Sequence, residues 1–262
     1  MQENLIGMFD SGLGGLSVLR ALIAGIPDVP ALFVADQQHC PYGKLTEQAI
    51  LNRSIAVCDW LVSQEVTQIV VACNTATSVA IEQLRQRYTI PIIGIEPAVK
   101  PAATQTHTGK IAILAIAATL KTERYHQLTD RYGKSVTVYA VTPEGWVDAV
   151  EGNTTDVQKL YTGVNQVIQP LLDVGVDQIV LGCTHYPFLR FIIEQIVPPG
   201  VTLHDPAPAV ISHAASLMNN LPRTTERNDG NYRFYTTGSP VRMKESLNKL
   251  LGLQAEVESI AV

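Results

Sequence analysis

The sequence predicts an α/β protein with mainly parallel sheets, built from two similar halves. Two observations predict this fold class: short apolar runs that lead through small residues into helical patterns, and a repeat of one such unit in the second half of the chain. Buried parallel strands read as continuous apolar runs, and strands that alternate with helices form parallel sheets. At 262 residues the chain is long enough to bury a core in each half.

Four segments of the chain follow the strand, turn and helix pattern. The predicted strands are Leu5–Phe9, Gln68–Ala72, Ile111–Ile116 and Gln178–Gly182. The helices predicted to follow them are Leu16–Ile23, Thr77–Tyr88, Lys121–Tyr132 and Phe188–Val197. Pro187 suits the start of the last helix, because the missing N–H of proline would have no intrahelical partner there.

The other segments are connections and late elements. Pro97–Gly109 is rich in proline, threonine and alanine and is interpreted as a crossover between the halves, with His204–Pro208 as the return crossing. Pro222–Gly230 is polar and is predicted to be a loop. A late strand, Tyr232–Thr236, and a final helix, Val241–Leu251, are expected after it.

The repeat relates two segments without any gap. Residues 61–75 and 171–185 match at Leu, Val, Gln, Ile, Val and Cys, and the shared cysteines are Cys73 and Cys183. Each cysteine follows the carboxyl end of a predicted strand, the edge at which open α/β folds bind their ligands. The repeat therefore predicts two cysteines at equivalent points of two similar halves.

These two cysteines are predicted to be chemical groups. A free cysteine is most often a small buried hydrophobe, and Cys58, on an apolar helix face, is interpreted that way. Hydroxyl, amide or imidazole side chains follow Cys73 and Cys183 at a strand-to-helix junction. The helix dipole and backbone N–H groups there are expected to lower the pKa of each thiol toward neutrality. Two such thiols on opposite faces of one carbon would invert it, one removing a proton and the other delivering one.

Carboxylates and a histidine near these junctions have two interpretations each. Asp10 and Asp36 end apolar runs, where an aspartate is either a cap or turn residue or a polar group at the sheet edge. His185 is either structural or an assistant to Cys183. For Glu151, a solvated loop carboxylate is the stronger interpretation.

Short polar side chains beside helix N-termini provide candidate donors for a substrate carboxylate. They are Ser11, Asn74, Thr75 and Thr184. The Pro41–Gly43 turn adds the hydroxyl of Tyr42 and the backbone N–H of Gly43.

Composition excludes several function classes. Net charge is −5, aromatic residues make up 6 %, and no cluster of lysine and arginine occurs, so a nucleic-acid surface is not expected. The longest apolar stretch, Ile111–Leu120, is too short to cross a bilayer, and no signal-peptide pattern is present, which predicts a cytoplasmic protein.

The motifs also argue against cofactors and metals. Four cysteines without a Cys-x-x-Cys pair predict neither a disulfide scaffold nor a structural zinc site. In the glycine loop, Ser17 stands where the dinucleotide fingerprint requires its third glycine, and no Walker lysine follows.

Taken together, four motifs resemble the signatures of the glutamate racemase family, in the family's order and over nearly the whole chain. They are Phe9–Val18, Pro41–Gly43, Ala72–Ala76 and Gly182–Pro187. The resemblance implies interconversion of L- and D-glutamate without pyridoxal phosphate or any other cofactor, and without a metal. It also implies a supply of D-glutamate for peptidoglycan and a homodimeric cytoplasmic enzyme whose partner is its small-molecule substrate.

The resemblance implies an architecture as well. It implies two α/β domains related by pseudo-two-fold symmetry, with the active site in the cleft between them. The first domain is expected to comprise residues 1–97 and 208–262, and the second residues 98–207.

Roles of individual residues follow from the same resemblance. It implies that Cys73 acts on D-glutamate, assisted by Asp10, and that Cys183 acts on L-glutamate, assisted by His185. Asp36 and Glu151 match auxiliary acidic positions. Substrate contacts are implied at Asp10, Ser11, Tyr42, Gly43, Asn74, Thr75, Thr119, Thr184 and His185.

Two stretches depart from the family pattern, around Ala118–Thr122 and Thr142–Trp146. They concern the pocket wall of the second half and not the two cysteines. Three alternatives to glutamate racemisation also stay open. The first is a racemase of aspartate or another amino acid. The second is a hydrolase with Cys183 as nucleophile and His185 as base, and the third is a binding protein without catalysis.

Overall fold

The strands of the chain form two sheets, each with parallel strands only. The computed structural model describes residues 4–153, 156–218 and 232–262. Within these ranges one sheet has the strand order β10-β9-β2-β1-β3-β4 and the other the order β6-β5-β7-β8. Every strand pairing in the described ranges is parallel. The predicted fold class, α/β with mainly parallel sheets, is confirmed.

The bounds of the elements are as follows. The strands are β1 Ile6–Asp10, β2 Ala31–Ala35, β3 Gln68–Val71, β4 Ile92–Gly94, β5 Lys110–Leu114, β6 Thr137–Val141, β7 Gln178–Leu181, β8 Thr202–His204, β9 Tyr232–Thr236 and β10 Val257–Ser259. The helices are α1 Leu16–Gly25, α2 Glu47–Ser63, α3 Asn74–Arg87, α4 Val99–Gln105, α5 Ala117–Leu120, α6 Glu123–Tyr132, α7 Trp146–Asp148, α8 Val157–Asp173, α9 Arg190–Ile196, α10 Ala207–Ser216 and α11 Pro240–Leu251.

The chain divides into two units. The first unit contains Met1–Ile95 and Ala207–Val262, and the second contains Glu96–Pro206. The domain boundaries implied by the family resemblance, at residues 97 and 208, stay a prediction.

The core of the first unit lies on both faces of its central strands. All five residues of β1 and all five of β2 are buried, and α1 buries Leu16, Leu19 and Leu22. Full burial of one such aliphatic side chain contributes about 1.5–3 kcal/mol. Since β1 pairs with β2 on one side and β3 on the other, the carboxyl ends of these three strands share one edge of the sheet.

The second unit repeats this construction on a smaller scale. Its central strands, β5 and β7, pair in parallel, and the apolar cluster beside them includes Val99, Ile111 and Val180. Helix α8 adds a second buried stripe with Val164 and Ile168. The carboxyl ends of β5 and β7 therefore meet at one edge, as those of β1 and β3 do in the first unit.

The predicted strands and helices are confirmed within one to three residues. The segment interpreted as a crossover, Pro97–Gly109, also contains a helix that was not predicted, α4. Pro101 lies in the first turn of α4, where a proline removes no intrahelical hydrogen bond. The helix predicted over Lys121–Tyr132 begins at Glu123 instead, because Thr122 caps α6 by accepting from the N–H of Tyr125. The predicted loop Pro222–Gly230 lies outside the described residues.

No helix in the described ranges is long and apolar enough to span a membrane.

Candidate active site

Cys73 lies two residues beyond β3 and is the N-cap residue of α3. Its sulfur accepts a hydrogen bond from the N–H of Ala76 at 3.5 Å and lies 3.7 Å from the hydroxyl of Ser11. The residue is only 5 % exposed. The predicted position of Cys73, at a strand-to-helix junction, is confirmed.

Asp10 reaches the same edge because β1 is the hydrogen-bonded neighbour of β3. Its carboxylate accepts from the N–H of Ser11 at 2.7 Å and from the N–H of Gly15 at 2.6 Å. A Cβ at Gly15 would lie 2.7 Å from the Cβ of Asp10, so only glycine allows this loop to close on the aspartate. The glycine loop therefore holds a carboxylate, and the structure fixes Asp10 beside the strand that leads to Cys73.

The expected lowering of the pKa of Cys73 is wrong. Burial and the negative charge of Asp10 raise the pKa of this thiol well above its ordinary value, although the N–H of Ala76 and the hydroxyl of Ser11 act in the opposite direction. Desolvation outweighs the helix terminus because the charged form loses its hydration. The raised pKa favours the thiol form of Cys73 at neutral pH.

Tyr42 and Asp36 form a buried pair in the first unit. The hydroxyl of Tyr42 donates to Oδ2 of Asp36 at 2.7 Å, and both side chains are almost completely buried. Burial alone would raise the pKa of Asp36, but hydrogen bonds from Arg53, Tyr42, His39 and Thr237 lower it on balance. Asp36 is therefore an anion at neutral pH.

Gly43 follows Tyr42 in a short 3₁₀ helix, Tyr42–Lys44, and is half-buried. This helix packs on α3, the helix that Cys73 precedes.

Asn74 and Thr75 occupy the first turn of α3 and are both 4 % exposed. Neither the amide nitrogen nor the amide oxygen of Asn74 has a hydrogen-bond partner among the residues that the structure describes. Leaving a buried amide unsatisfied costs about 1–3 kcal/mol. The polar atoms of Asn74 are therefore available for hydrogen bonds with a bound molecule.

Cys183 occupies the equivalent junction of the second unit, two residues beyond β7. A Cβ at the preceding Gly182 would lie 2.9 Å from the carbonyl oxygen of Leu114, so glycine lets this turn pass close to β5. Cys183 is 7 % exposed and its neighbour Thr184 is 4 % exposed. The predicted equivalence of Cys73 and Cys183 within their own sheets is confirmed.

His185 links Cys183 to Glu151. Its Nδ1 atom lies 3.6 Å from the sulfur of Cys183, and its Nε2 atom lies 2.7 Å from Oε1 of Glu151. Burial would lower the pKa of His185, but its hydrogen bonds to Cys183 and Glu151 raise it well above the ordinary value. An imidazolium donates from both nitrogens, so His185 donates to the carboxylate on one side and to the sulfur on the other.

The interpretation of Glu151 as a solvated loop carboxylate is wrong. Its side chain is 18 % exposed and is paired with His185, within the helical turn Ala149–Asn153. Sequence reasoning could not show this, because the two residues are 34 positions apart.

Thr119 lies in α5, directly after β5, and is fully buried. Strands β5 and β7 are parallel neighbours, so Thr119 and Cys183 both lie beyond the same edge of the sheet.

Sequence reasoning missed two aromatic residues of the second unit. Trp146 and Tyr186 pack edge to face with ring centroids 5.1 Å apart, and both are buried. The indole N–H of Trp146 and the hydroxyl of Tyr186 have no hydrogen-bond partner in the described part of the chain. The only feature of the sequence that could have drawn attention to Trp146 is its place in Thr142–Trp146, a stretch that departs from the family pattern.

It missed two residues of the first unit as well, Arg53 and Thr237, both of which donate to Asp36. No sequence signal marks either residue.

The predicted residues thus form two groups. In the first unit, Cys73 lies with Ser11 and Asp10, and Tyr42 lies with Asp36. In the second unit, Cys183, His185 and Glu151 form one chain of contacts. Among the residues that the structure describes, no three His, Cys, Asp or Glu side chains are grouped so that they could hold a metal ion.

Comparison with known proteins places this geometry in a family. The family model described as Asp/Glu/Hydantoin racemase matches residues 6–214. A glutamate racemase of Ectopseudomonas mendocina is 38 % identical over 253 residues, which are 96 % of each chain.

Solved structures agree with this comparison. A glutamate racemase isoform of Bacillus anthracis matches with a TM-score of 0.86 at 26 % identity, covering 100 % of this chain and 99 % of that one. The Escherichia coli glutamate racemase, solved with L-glutamate and the activator UDP-MurNAc-Ala, matches with a TM-score of 0.85 at 28 % identity and the same coverage. The chain belongs to the Asp/Glu/Hydantoin racemase family, and its full-length relatives are named glutamate racemases.

Proposed function

We propose that this protein interconverts L-glutamate and D-glutamate by proton transfer at Cα, with Cys73 and Cys183 acting from opposite faces of that carbon and without a cofactor. One observation supports this most directly. In each unit a buried cysteine lies two residues beyond a central strand, and a different ionisable group accompanies each, Asp10 near Cys73 and His185 beside Cys183.

The proposed reaction is balanced in protons. With L-glutamate bound, Cys183 acts as a thiolate beside the imidazolium of His185 and takes the proton from Cα. Cys73, a thiol because burial and Asp10 raise its pKa, gives its proton to the opposite face of the carbon. The product is D-glutamate, with the thiol now at Cys183 and the thiolate at Cys73. The reverse reaction runs through the same steps in the opposite order.

The carbanion-like transition state also needs stabilisation. General acid–base catalysis contributes about 10²–10⁴-fold, and electrostatic stabilisation must supply much of the rest. Asn74 has unpartnered polar atoms in the first turn of α3, and Thr184 lies beside Cys183. We assign both to the substrate carboxylates, together with Ser11, Gly43, Thr75 and Thr119. Tyr42 also contacts the substrate in this proposal, but as an acceptor for its ammonium group, because the Tyr42 hydroxyl donates its proton to Asp36.

Glutamate is favoured over aspartate as the substrate because the full-length relatives carry the name glutamate racemase. The product D-glutamate is proposed to serve peptidoglycan synthesis, which restored growth of a bacterial D-glutamate auxotroph would test. We place the reaction in the cytoplasm, since four free cysteines and a mechanism based on reduced thiols suit a reducing compartment. The homodimer stays a prediction.

The test is incubation of the purified protein with L-glutamate in D₂O without added cofactor. Loss of optical activity together with deuterium at Cα is the expected result. Cys73→Ala and Cys183→Ala should each abolish racemisation. Cys58→Ala is the matched control, because this third buried cysteine lies on the buried face of α2, in the apolar core, and its removal should leave turnover unchanged.

The alternatives give different results in the same assay. Faster turnover of L-aspartate than of L-glutamate would indicate an aspartate racemase. An acyl-enzyme trapped on Cys183 would indicate a hydrolase. Glutamate binding without deuterium at Cα would indicate a binding protein, and the proposal would be rejected.

A further inference from the structure

The ion pair between Asp36 and Arg53 is the best-defined buried polar cluster that the proposed proton transfer does not use. Two nitrogens of Arg53, Nε and Nη2, each lie 3.0 Å from a different oxygen of Asp36. This is the bidentate geometry that guanidinium and carboxylate groups favour. Asp36 is completely buried, and the side chain of Arg53 is 17 % exposed.

All the acceptor capacity of Asp36 is occupied. Oδ1 also accepts from the hydroxyl of Thr237 at 2.8 Å and lies 3.0 Å from Nδ1 of His39, while Oδ2 accepts from the hydroxyl of Tyr42 at 2.7 Å. A carboxylate offers about four lone-pair sites. A group so fully bonded is poorly suited to take up a substrate proton and well suited to hold its donors in place.

Tyr42 connects this cluster to the catalytic cysteine of the first unit. Its ring belongs to the same apolar cluster as Cys73, and its 3₁₀ helix packs on α3. Burial raises the pKa of the Tyr42 hydroxyl, and so do the negative charges of Asp36 and Cys73, so the hydroxyl lies within electrostatic reach of the Cys73 sulfur. A phenol has one proton, and that of Tyr42 is committed to Asp36. Toward every other neighbour the Tyr42 oxygen is therefore an acceptor only, for the thiol of Cys73 or for a substrate ammonium.

Arg53 is in turn held from its other side. Its Nη1 donates to the main-chain oxygen of Val262 at 2.6 Å. The guanidinium thus bridges Val262, three residues beyond β10, and the Asp36 carboxylate, and its orientation is fixed by partners on both sides.

We propose that Arg53 is a positioning residue for the Cys73 step: its guanidinium fixes Asp36, and Asp36 fixes the Tyr42 hydroxyl near Cys73. This inference rests on the proposed function. Without the guanidinium, the buried carboxylate has an unbalanced charge, and Tyr42 has no fixed acceptor. A displacement of about 1 Å at a reacting group can cost about 100-fold in rate, so Arg53→Met should lower kcat/KM by about that factor. Arg53→Lys keeps the positive charge but cannot make the two parallel hydrogen bonds of the guanidinium, so its kcat/KM should fall between those of the wild type and Arg53→Met.

Isotope effects distinguish positioning from a general loss of folded enzyme. Because the two enantiomers have equal free energies, kcat/KM must fall equally in both directions. Only the transition state at Cys73 is raised, however. With Arg53→Met, the primary effect of deuterium at Cα should therefore increase for D-glutamate, whose proton Cys73 removes, and decrease for L-glutamate, whose proton Cys183 removes. Isotope effects that remain at the wild-type values would overturn the inference.

Tyr42→Phe provides a second route if Arg53→Met folds poorly. It keeps the ring and the ion pair but removes the hydroxyl, and it should produce the same opposite changes in the two isotope effects. The double variant should lose no more activity than the larger single loss, because both changes act through one contact chain. Additive losses would contradict the inference.

Arg87→Met is the matched control. Arg87 pairs with Asp59 of α2 on the surface of the same unit, and its removal should leave both isotope effects and kcat/KM unchanged. The proposed function and the role of Arg53 can fail separately. Wild-type protein that does not racemise glutamate would reject the proposed function, whereas racemisation by Arg53→Met with both isotope effects at their wild-type values would reject only the role of Arg53.

Discussion

Nε2 of His185 lies 2.7 Å from Oε1 of Glu151, on the side of the imidazole opposite to Cys183. The carboxylate helps to raise the pKa of His185. A positive imidazolium that donates to a sulfur stabilises the thiolate form of that sulfur. We expect such a group where a thiolate forms and is protonated again during each turnover.

Glu151→Gln should therefore weaken catalysis and shift its pH dependence. A hydrogen bond to a charged group contributes about 1.5–3 kcal/mol, which corresponds to a loss of about 10- to 100-fold in kcat/KM. The pKa of His185 should fall, so the decline of activity on the alkaline side should begin at lower pH than in the wild type. Glu144→Gln, an exposed carboxylate of the same segment, is the control for the pH–rate profile. An unshifted alkaline limb would contradict the role of Glu151.

Asn74→Ala should separate activity from stability. The amide of Asn74 is buried without a partner in the described residues, so its removal should leave the free energy of unfolding unchanged or raise it by up to about 1 kcal/mol. If the amide binds the developing charge of the substrate, kcat should fall by about 100-fold or more. Urea unfolding and steady-state kinetics check the two parts. Asn52→Ala, on the exposed face of α2, should change neither.

Gly15→Ala should displace Asp10. The added Cβ would lie 2.7 Å from the Cβ of Asp10 and 3.1 Å from the carbonyl oxygen of Ala72. Overpacking of this kind costs about 1–3 kcal/mol, and the displaced carboxylate should reduce kcat/KM as well. The control is Gly25→Ala at the end of α1, where the nearest atom lies 3.6 Å from the added Cβ. That variant should melt at the wild-type temperature or above it and keep full activity.

Asp177→Asn should change the acid stability of the second unit. Asp177 accepts from the hydroxyl of Thr106 and from the N–H groups of His107 and Thr108. Burial opposes the effect, but these hydrogen bonds lower the pKa of Asp177. The folded pKa lies below the unfolded value, so the stabilisation is present above the unfolded pKa, near 4, and is lost as the pH falls through the folded pKa.

At pH 7 the variant should therefore be less stable than the wild type by about 1–3 kcal/mol. The difference between the two proteins should shrink as the pH is lowered below about 4. Urea midpoints at several pH values measure this. Asp173→Asn, an exposed position at the end of α8, should show no such convergence. A gap that stayed constant down to acid pH would mean that the charge of Asp177 contributes nothing.

The fold class and the positions of both cysteines could be predicted because they depend on local patterns. Apolar runs, small turn residues and the repeated segment are all contained in short windows, and Cys73 and Cys183 end the same pattern twice. The helix within Pro97–Gly109 was not predicted for the same local reason, since two prolines and several threonines obscured the helical capacity of Val99–Gln105.

The environment of the site could not be predicted, because it depends on residues distant in the sequence. The pKa of Cys73 was expected to be lowered because only the helix that follows it was taken into account. The two causes that raise this pKa, burial and the charge of Asp10, arise only when the strands assemble into the sheet. Glu151 lies 34 positions from His185, and Thr237 lies 201 positions from Asp36. The local sequence around Glu151 or Thr237 contains no pattern that would indicate these distant partners.

The order of the strands also has a consequence for synthesis on the ribosome. Strand β2 pairs with β9, and β9 with β10, so the sheet of the first unit is incomplete until residues 232–259 have emerged. The second unit, Glu96–Pro206, is finished well before that. Until β9 has been synthesised, one edge of β2 has no strand to pair with. Unpaired strand edges promote aggregation between chains. The nascent protein is therefore expected to depend most on chaperones in the interval between the completion of its second unit and the arrival of its last two strands.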